Sequence, residues 1–494
     1  MRHFFPALVI VTALAAACGT TVQNPVSGKA ERTVMDERSE IAAGQEQHKQ
    51  VLAEYGELKD AKLQAYVNDI GQRLARSSHR ANLPWHFTVV DSPDVNAFAL
   101  PGGYIYVTRG LMAFMDSEAD LAGVIGHEIG HVTARHGAQR ATRQQTAGLG
   151  VLAATVLGAV LEGRGLGGAG DLASQVSQNV AAGYIASYSR EQELEADRLG
   201  AEYLSRSAYN PQNMVDVIRV LRDQERFAAY QARAEGRSPS QGANWLASHP
   251  TNEQRLRDIL AVAAQYKGSY GADSRDRYLK AIDGMTFGES REQGVTRGRN
   301  FFHEPLGIAL SAPAGWKIQN NADVLALVNP DGTAGLMMQS VPPQAGSNHE
   351  EILRNAVKAD QGRTERYSIN GLQATHFSGT RRTAQGQSQP VELTLVTGPS
   401  NRQFMFLYAA RDAQALQRSF AAMRSAEGSF RPMSAGDRIS ARPWVLRTVP
   451  YPRGGFPELA RRSPLANPEQ QLRLLNGVYA EGEPRPGQLV KVVE

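Results

Sequence analysis

The sequence predicts an α+β fold: a mostly helical domain with a small edge sheet, a small α+β domain, and a short C-terminal module. Three observations predict it. Apolar residues recur at three- and four-residue intervals over residues 40–75 and in later segments, which is typical of helices. The runs HFTVV and YIYVT are β-branched and aromatic, which indicates strands. The chain has 494 residues, too many for one compact core.

The chain begins with a segment that is typical of a secretory signal. Arg2 precedes an apolar run over residues 4–14, which is too short to span a bilayer and is normally removed. Cys18 at the expected cut resembles the bacterial lipobox, whose cysteine becomes lipidated, although Ala15 stands where that pattern prefers leucine. The resemblance implies a periplasmic lipoprotein, and Gly19 in place of aspartate implies the outer membrane. Soluble secretion into the periplasm is the alternative.

Composition narrows the possible partners. The chain has 53 basic and 49 acidic residues, which are interspersed, and it lacks a zinc-finger or basic-helix motif. We therefore expect no nucleic-acid partner. Because Cys18 is the single cysteine, we expect no disulfide, and stability must come from burial and from metal binding.

Changes in composition divide the chain into five parts. We predict a signal peptide at 1–18, a tether at 19–33, a helical domain at 34–270, a small α+β domain of unknown role at 298–433, and a C-terminal module at 438–494. For the last part we predict a short strand, two helices and a closing strand. An apolar run at 148–161 is too short to cross a membrane, so it is a core helix or a membrane-facing lid.

His127, Glu128 and His131 spell the motif HExxH within a helix predicted over 117–135, with Ser117 as its cap. Histidines four residues apart share one helix face, so both imidazoles can bind one Zn²⁺ at ~2.0–2.1 Å. Glu128 can then take a proton from an attacking water. Histidines buried without metal are the alternative, but burying unpaired ionisable groups is costly. We therefore predict one zinc ion per chain.

A third ligand is expected in the segment SREQELEADRLG. The metzincin pattern fails because its third histidine is absent, and we expect a structural role for His136, one position away. Glu193 and Asp197 are four residues apart on one helix face, so Glu193 completes the site and Asp197 orients a ligand imidazole. A solvated acidic face is the alternative for this pair, with Glu191 or Glu195 as substitute ligand.

GHEIGHVTARH followed by SREQELEADRLG resembles the M48 family of zinc endopeptidases. The segments VNAFALPGGYIYVTRGLM and EYGELKDAKLQAYVNDIGQRLA also resemble that family, so the resemblance covers about residues 35–265. It implies a gluzincin-type domain and, among periplasmic members, a role in outer-membrane quality control. The implied substrates are unfolded or misassembled envelope proteins. Some relatives carry helical TPR repeats, which are not visible here, so their docking to the assembly machinery is not carried over.

In such members, a histidine of an HP loop can occupy the fourth zinc position and keep the enzyme latent. By this resemblance the position corresponds to His249 in ASHPTNEQR, with Arg255 as the nearby arginine. A plain turn residue before proline is the alternative for His249. We further predict that a substrate strand pairs by β-augmentation with an exposed edge strand formed by Tyr104, Ile105, Tyr106 and Val107.

The tail from residue 438 resembles a degenerate LysM module through ELARRSP, LLNG and PGQLVKVV. This implies peptidoglycan binding, and a plain packing domain is the alternative. Two other functions stay open beside the zinc endopeptidase. One is a latent protease that acts mainly as a chaperone-like factor, and the other is an anchored envelope-binding protein that works through its tail.

Overall fold

The computed structural model describes residues 19–145, 188–234, 249, 253–321, 324–357, 361–382 and 388–494. Cys18 and the apolar run at 148–161 lie outside these residues. The chain forms two units, one of Met1–Phe287 with Val445–Glu494 and the other of Gly288–Trp444. Within the described ranges, we find no helix whose length and apolarity would let it cross a membrane. The predicted α+β class is confirmed.

The first two helices of the first unit begin at aspartate caps. Asp36 Oδ1 accepts a hydrogen bond from Ser39 N at 2.8 Å, and Asp60 Oδ1 accepts one from Leu63 N at 3.0 Å. In chain order, its first elements are β1 (Thr20–Gln23), β2 (Ala30–Thr33), α1 (Glu37–Tyr55), α2 (Ala61–Arg76), β3 (His86–Val90), β4 (Ala97–Leu100) and β5 (Tyr104–Thr108).

Strand β5 lies in the centre of a three-stranded sheet, parallel to β3 and antiparallel to β4. Gly102 and Gly103, with φ of 81° and 98°, make the turn between β4 and β5 in a conformation that favours glycine. The predicted edge strand is therefore wrong, because the short apolar run AFAL, which was not predicted as a strand, is β4 and pairs with one side of β5. The residues concerned are buried: Tyr104, Ile105, Tyr106 and Val107.

Two of the remaining helices of this part begin at serine caps. Ser117 Oγ accepts from Asp120 N at 3.1 Å, as predicted, and Ser189 forms a capping box with Gln192. These elements are α3 (Arg109–Phe114), α4 (Glu118–Thr133), α5 (Arg190–Arg206), α6 (Asn213–Ala234), α7 (Glu253–Ala263), α8 (Arg275–Ile282) and the short strand β6 (Thr286–Phe287).

Helices α4 and α5 pack closely because small residues face each other where they cross. A Cβ atom added to Gly126 would lie 3.3 Å from Gly200 O, and one added to Gly130 would lie 2.9 Å from Ala196 O. A Cβ atom on Gly200 would lie 3.1 Å from His127 N. Larger side chains would separate the helices, since each added carbon needs van der Waals space. The crossing places the HExxH turn of α4 beside the acidic turn of α5.

The second unit is built on antiparallel sheets. Seven strands pair in the order β10-β11-β12-β16-β15-β14-β13, and four pair in the order β17-β9-β8-β7. A core that includes Leu336, Phe404, Phe406 and Phe430 is packed within this unit. In chain order its elements are β7 (Val295–Arg297), β8 (Asn300–His303), β9 (Ile308–Ser311), β10 (Lys317–Asn320), β11 (Leu325–Val328), β12 (Ala334–Ser340), α9 (His349–Val357), β13 (Gln361–Ile369), β14 (Leu372–Arg382), β15 (Ser388–Thr397), β16 (Gln403–Ala410), α10 (Ala413–Gly428), β17 (Arg431–Pro432) and α11 (Ala435–Ser440).

The C-terminal segment contains the strand, two helices and closing strand that the sequence predicts: β18 (Trp444–Pro450), α12 (Gly455–Ala460), α13 (Pro468–Leu475) and β19 (Leu489–Val493). Strand β18 pairs with β19, and the sheet order β19-β18-β6 joins this segment to the first unit. Lys491 on β19 is fully buried, and its Nζ donates to Met115 O at 2.6 Å. Val445–Glu494 thus belongs to the first unit rather than forming a unit of its own.

Candidate metal centre

Helix α4 presents two histidines and a glutamate in its buried interior. His127 and His131 are one turn apart, and their Nε2 atoms lie 3.0 Å from each other. Glu128 follows His127 directly, and all three side chains are at most 1% exposed. Apolar residues of the helix surround the motif, and Val124, Ile125 and Ile129 among them are fully buried. Two imidazole nitrogens therefore face one point inside the protein.

Helix α5 brings Glu193 to the same point. Its Oε2 atom lies 3.6 Å from His127 Nε2, and its Oε1 atom lies 3.5 Å from His131 Nε2. His249 completes the cluster, with Nδ1 at 3.2 Å from His127 Nε2 and 2.9 Å from Glu193 Oε1. The four ligand atoms all lie within 4.8 Å of one another. Of the substitute ligands, Glu191 is exposed, and Glu195 bonds to another histidine.

These distances fit a tetrahedral zinc site. Nitrogen and oxygen ligands at ~2.0–2.1 Å from a tetrahedral zinc are about 3.3 Å apart, close to the separations found here. The ring nitrogen of His127 that faces away from the ligand cluster supports this assignment. His127 Nδ1 lies 2.9 Å from Asp197 Oδ1 and donates to it. His127 Nε2 then carries a lone pair that points toward the other ligand atoms. A cation between them satisfies these lone pairs, and the donor set suits zinc.

Burial keeps the imidazoles of the cluster neutral. It lowers the pKa of His127 and of His131, and it lowers the pKa of His249 to about 4. Burial also raises the pKa of the Glu193 carboxyl to about 7, which the nearby Arg255 opposes. Neutral imidazoles are the form in which histidine binds a metal, so the environment prepares these side chains as ligands.

Arg255 and Asp197 form a buried layer behind the ligands. Arg255 Nη1 lies 3.0 Å from Glu193 Oε2 and donates to the carbonyl oxygen of His249 at 3.1 Å. Burial raises the pKa of the Asp197 carboxyl, but Arg255 and the hydrogen bond with His127 outweigh it and hold that pKa well below its usual range. Asp197 is therefore charged and oriented where it accepts from His127.

Glu128 lies on the side of the cluster that His249 faces. Its Oε1 atom is 3.5 Å from His249 Nε2, while His249 Nδ1 points to the other ligand atoms. His249 thus stands between the other three ligand residues and the carboxylate predicted to be the base. The structure brings together the six residues that the sequence singled out for the site and its surroundings: His127, Glu128, His131, Glu193, Asp197 and His249, with Arg255 beside them.

Two contacts of His131 were not foreseen from the sequence. Its outer Nδ1 atom lies 2.9 Å from His136 Nδ1, and His136 Nε2 lies 3.1 Å from Glu195 Oε2. The ring of Tyr188 stacks on His131, with ring centroids 3.8 Å apart. The spacing of His136 gave no signal, because a regular helix would place it on another face than His131. Tyr188 precedes the cap of α5 and carries no motif.

A cleft opens beside His131. It is lined by Ala99 and Leu100 of β4, by the turn at Pro101 and Gly102, and by Tyr188 among other residues. The predicted strand residues on β5 lie one strand further in, so β4 separates them from the outer side of the sheet. The strand whose end lines the cleft is β4, which was not predicted from the sequence.

Comparison with known proteins finds relatives of part of the first unit. The model of the family described as "Peptidase family M48" matches residues 61–263. The chain is 31% identical over 267 residues to the beta-barrel assembly-enhancing protease of Yersinia pestis, covering 51% of this chain and 54% of that protein. The protein of the same name from Escherichia coli (strain K12) is 30% identical to this chain over 226 residues, and the match covers 45% of this chain and 43% of that protein. This chain is also 30% identical over 223 residues to the mitochondrial metalloendopeptidase OMA1 of Schizosaccharomyces pombe, and the match covers 44% of this chain and 58% of that protein.

The chain therefore spans about half the length of these curated relatives. The matched region contains both helices that supply the cluster, α4 and α5, as well as His249 and Arg255. Taken with the ligand geometry, the match shows that residues 61–263 of this chain form a domain of peptidase family M48.

Proposed function

We propose that this chain is a zinc-dependent endopeptidase of the bacterial cell envelope. The observation that carries the proposal is the buried cluster in which His127, His131 and Glu193 lie within ligand distance of one another, with Glu128 beside them. A His₂Glu set with an adjacent carboxylate is suited to hydrolysis by an activated water. Relatives of the matched domain are named as proteases and metalloendopeptidases, which supports the same chemistry.

In this proposal each side chain has a defined task. When bound, zinc would supply Lewis-acid polarisation of the scissile carbonyl and of a water. Glu128 takes a proton from the attacking water and returns it to the leaving nitrogen. Asp197 holds the ring of His127, and Arg255 offsets the charge of the two carboxylates it contacts. Burial strengthens these electrostatic interactions because water is excluded.

We further propose that His249 gates the centre. Catalytic zinc sites keep a fourth position open, whereas His249 Nδ1 occupies a ligand position here. Its Nε2 atom faces Glu128 at 3.5 Å, so His249 fills the place where a water would meet that base. The hydrogen bond from Arg255 to the His249 carbonyl holds the residue there. The arrangement corresponds to a latent state, and the active state requires His249 to leave.

For the substrate, we propose an extended segment of an unfolded or misassembled envelope protein. Strand β4 is an edge strand, and its end lines the cleft beside His131. A substrate strand added to β4 would run past the ligand cluster, and main-chain pairing accepts many sequences. Unfolded proteins expose extended backbone that is free to pair, whereas most extended backbone in folded proteins is already paired within sheets. The name of the bacterial relatives, beta-barrel assembly-enhancing protease, supports substrates of this kind.

The cellular location of the protein and the function of its tail are proposed from the sequence. The lipobox-like end at Cys18 supports a lipid anchor on the periplasmic side of the outer membrane, with a soluble periplasmic form as the alternative. The LysM-like motifs support peptidoglycan binding by residues 438–494, but the packing of Val445–Glu494 in the first unit favours a structural role. Retention of the full chain on purified peptidoglycan, compared with a chain lacking Val445–Glu494, tests the binding role.

The central experiment compares the wild type with Glu128→Gln. We expect both to bind one zinc per chain after removal of loosely bound metal, and we expect casein cleavage to fall by about two to four decades in the variant. Glu191→Gln is the matched control, because Glu191 is exposed on α5 and the substitution is the same. Cleavage retained by Glu128→Gln, or a wild type without stoichiometric zinc, would contradict the proposal.

A further inference from the structure

We propose that His136 is a positioning residue that fixes the tautomer and ring orientation of His131 through a relay of Glu195, His136 and His131. The inference rests on the proposed function, because it assumes that His131 binds zinc through Nε2. It assigns a specific hydrogen-bond direction to each link of the relay. The consequence is that one zinc ligand is oriented by a second, neutral imidazole that is not itself a ligand.

The chain makes a sharp turn to bring His136 back to His131. In a continuous helix, five residues correspond to about 500°, so the two side chains would lie on different faces. Helix α4 instead ends at Thr133, and Arg135 takes a left-handed conformation with φ of 61°. Side chains other than glycine rarely adopt this conformation. The side chain of Arg135 donates a hydrogen bond from Nη2 to the carbonyl oxygen of Met35.

The geometry of the two links is that of hydrogen bonds. His136 Nδ1 lies 2.9 Å from His131 Nδ1, and His136 Nε2 lies 3.1 Å from Glu195 Oε2. The side chains of His131 and His136 are at most 1% exposed, while that of Glu195 is 29% exposed. The relay therefore runs from the buried centre to a carboxylate near the surface. Both imidazoles of the relay are shielded from bulk solvent.

The donor and acceptor of each link follow from the metal. A His131 that binds zinc through Nε2 has its proton on Nδ1, which must donate. His136 Nδ1 then accepts, so the proton of neutral His136 lies on Nε2. That N–H donates to Glu195, which is acceptor-only when ionised. Only one arrangement of protons satisfies all three groups, and it holds His131 in the metal-binding tautomer.

The two histidine ligands are thus oriented differently. His127 donates directly to the carboxylate of Asp197 at 2.9 Å, which Arg255 also binds. His131 reaches its carboxylate, Glu195, only through His136. Partners of the outer nitrogen set ring orientation and ligand basicity, and their loss typically lowers metal affinity. We therefore assign to His136 and Glu195 together the role that Asp197 has for His127.

The test measures zinc dissociation constants of the full chain by competition with a chelator. His136→Asn and His136→Leu are matched in shape, but only asparagine has an oxygen that can accept from His131 Nδ1. We expect zinc binding to weaken about 10- to 100-fold in His136→Leu and to be largely restored in His136→Asn. A purely structural role for His136 would instead weaken both variants equally. Equal affinities of His136→Leu and the wild type would overturn the inference.

Two further measurements do not depend on the folding of His136→Leu. In the zinc-loaded wild type with ¹⁵N-labelled histidine, NMR should show protonated Nδ1 on His131 and unprotonated Nδ1 on His136. A protonated His136 Nδ1 overturns the relay.

The second measurement compares the zinc affinities of two Glu195 variants. Glu195→Leu should weaken zinc binding more than Glu195→Gln, and equal affinities of the two variants overturn the relay. His48→Leu is the control, since His48 bonds to Tyr106 instead. If the wild type binds zinc and cleaves casein while these tests fail, the inference fails and the proposed function stands.

Discussion

Arg255 binds Asp197 through two hydrogen bonds, from Nε to Oδ2 at 2.7 Å and from Nη2 to Oδ1 at 2.8 Å, and both side chains are buried. The same guanidinium contacts Glu193 and the backbone of His249. One buried cation therefore joins the carboxylate that orients His127, the carboxylate of the ligand cluster and the backbone carbonyl of His249. The arrangement needs the planar fork of arginine, because lysine offers no bidentate geometry.

Replacing Arg255 should destabilise the folded protein strongly. We expect Arg255→Leu to lower the free energy of unfolding by about 3–5 kcal/mol, because it leaves the buried charge of Asp197 without its partner. Urea unfolding followed by circular dichroism measures the loss. Arg219→Leu is the control, since Arg219 pairs with Asp216 at an exposed site and should cost about 1 kcal/mol or less. A loss below that level for Arg255→Leu would show that the pair is not essential.

Removing the imidazole of His249 should raise activity. At saturating zinc, we expect His249→Ala to cleave casein faster than the wild type, because the fourth position is no longer blocked. The gain equals the ratio of all enzyme to the open form, so a tenfold gain means a closed-to-open ratio of nine, which corresponds to about 1.3 kcal/mol in favour of the closed state. Initial rates measure it, with His48→Ala as the control. Unchanged or slower cleavage by His249→Ala would argue against a gate.

Adding one methyl group at the crossing of α4 and α5 should be destabilising. A Cβ atom on Gly130 would lie 2.9 Å from Ala196 O, so we expect Gly130→Ala to cost about 1–3 kcal/mol by overpacking. In an open helix the same change normally stabilises, because alanine is the better helix former. Gly428→Ala supplies that control, since a Cβ atom there meets nothing within 4 Å. Thermal unfolding should move the two variants in opposite directions.

Stability should rise with pH in the alkaline range because of Lys491. Burial lowers its pKa from 10.5 to about 8, so between these values the unfolded chain binds a proton that the folded chain has released. The unfolded state then binds more protons, and the free energy of unfolding rises with pH through this window by about 3 kcal/mol at most. Lys491→Met should lose this rise. Urea unfolding at several pH values measures the free energy of unfolding of the wild type and of Lys491→Met. The same pH dependence in both proteins would contradict the prediction.

Much of the site could be predicted because its spacing is local. His127 and His131 in one helix, and Glu193 and Asp197 in another, are each four residues apart, which places each pair on one face. The caps at Ser117 and Ser189 mark where these helices begin. Local patterns failed for β4, because four apolar residues show no alternation and resemble a loop between two stronger strands. That error made the central strand β5 look like an edge.

The sequence by itself determined which residue types meet on each helix and the candidate ligand set, and through resemblance it suggested a role for His249. Only the tertiary structure decided that the two helices cross at Gly126 and Gly200, and that His249, 122 residues from His127, reaches the same point. It also decided that the turn at Arg135 carries His136 back to His131. The physical reason is that helix spacing is encoded by neighbours along the chain, whereas distances between helices depend on packing across the core.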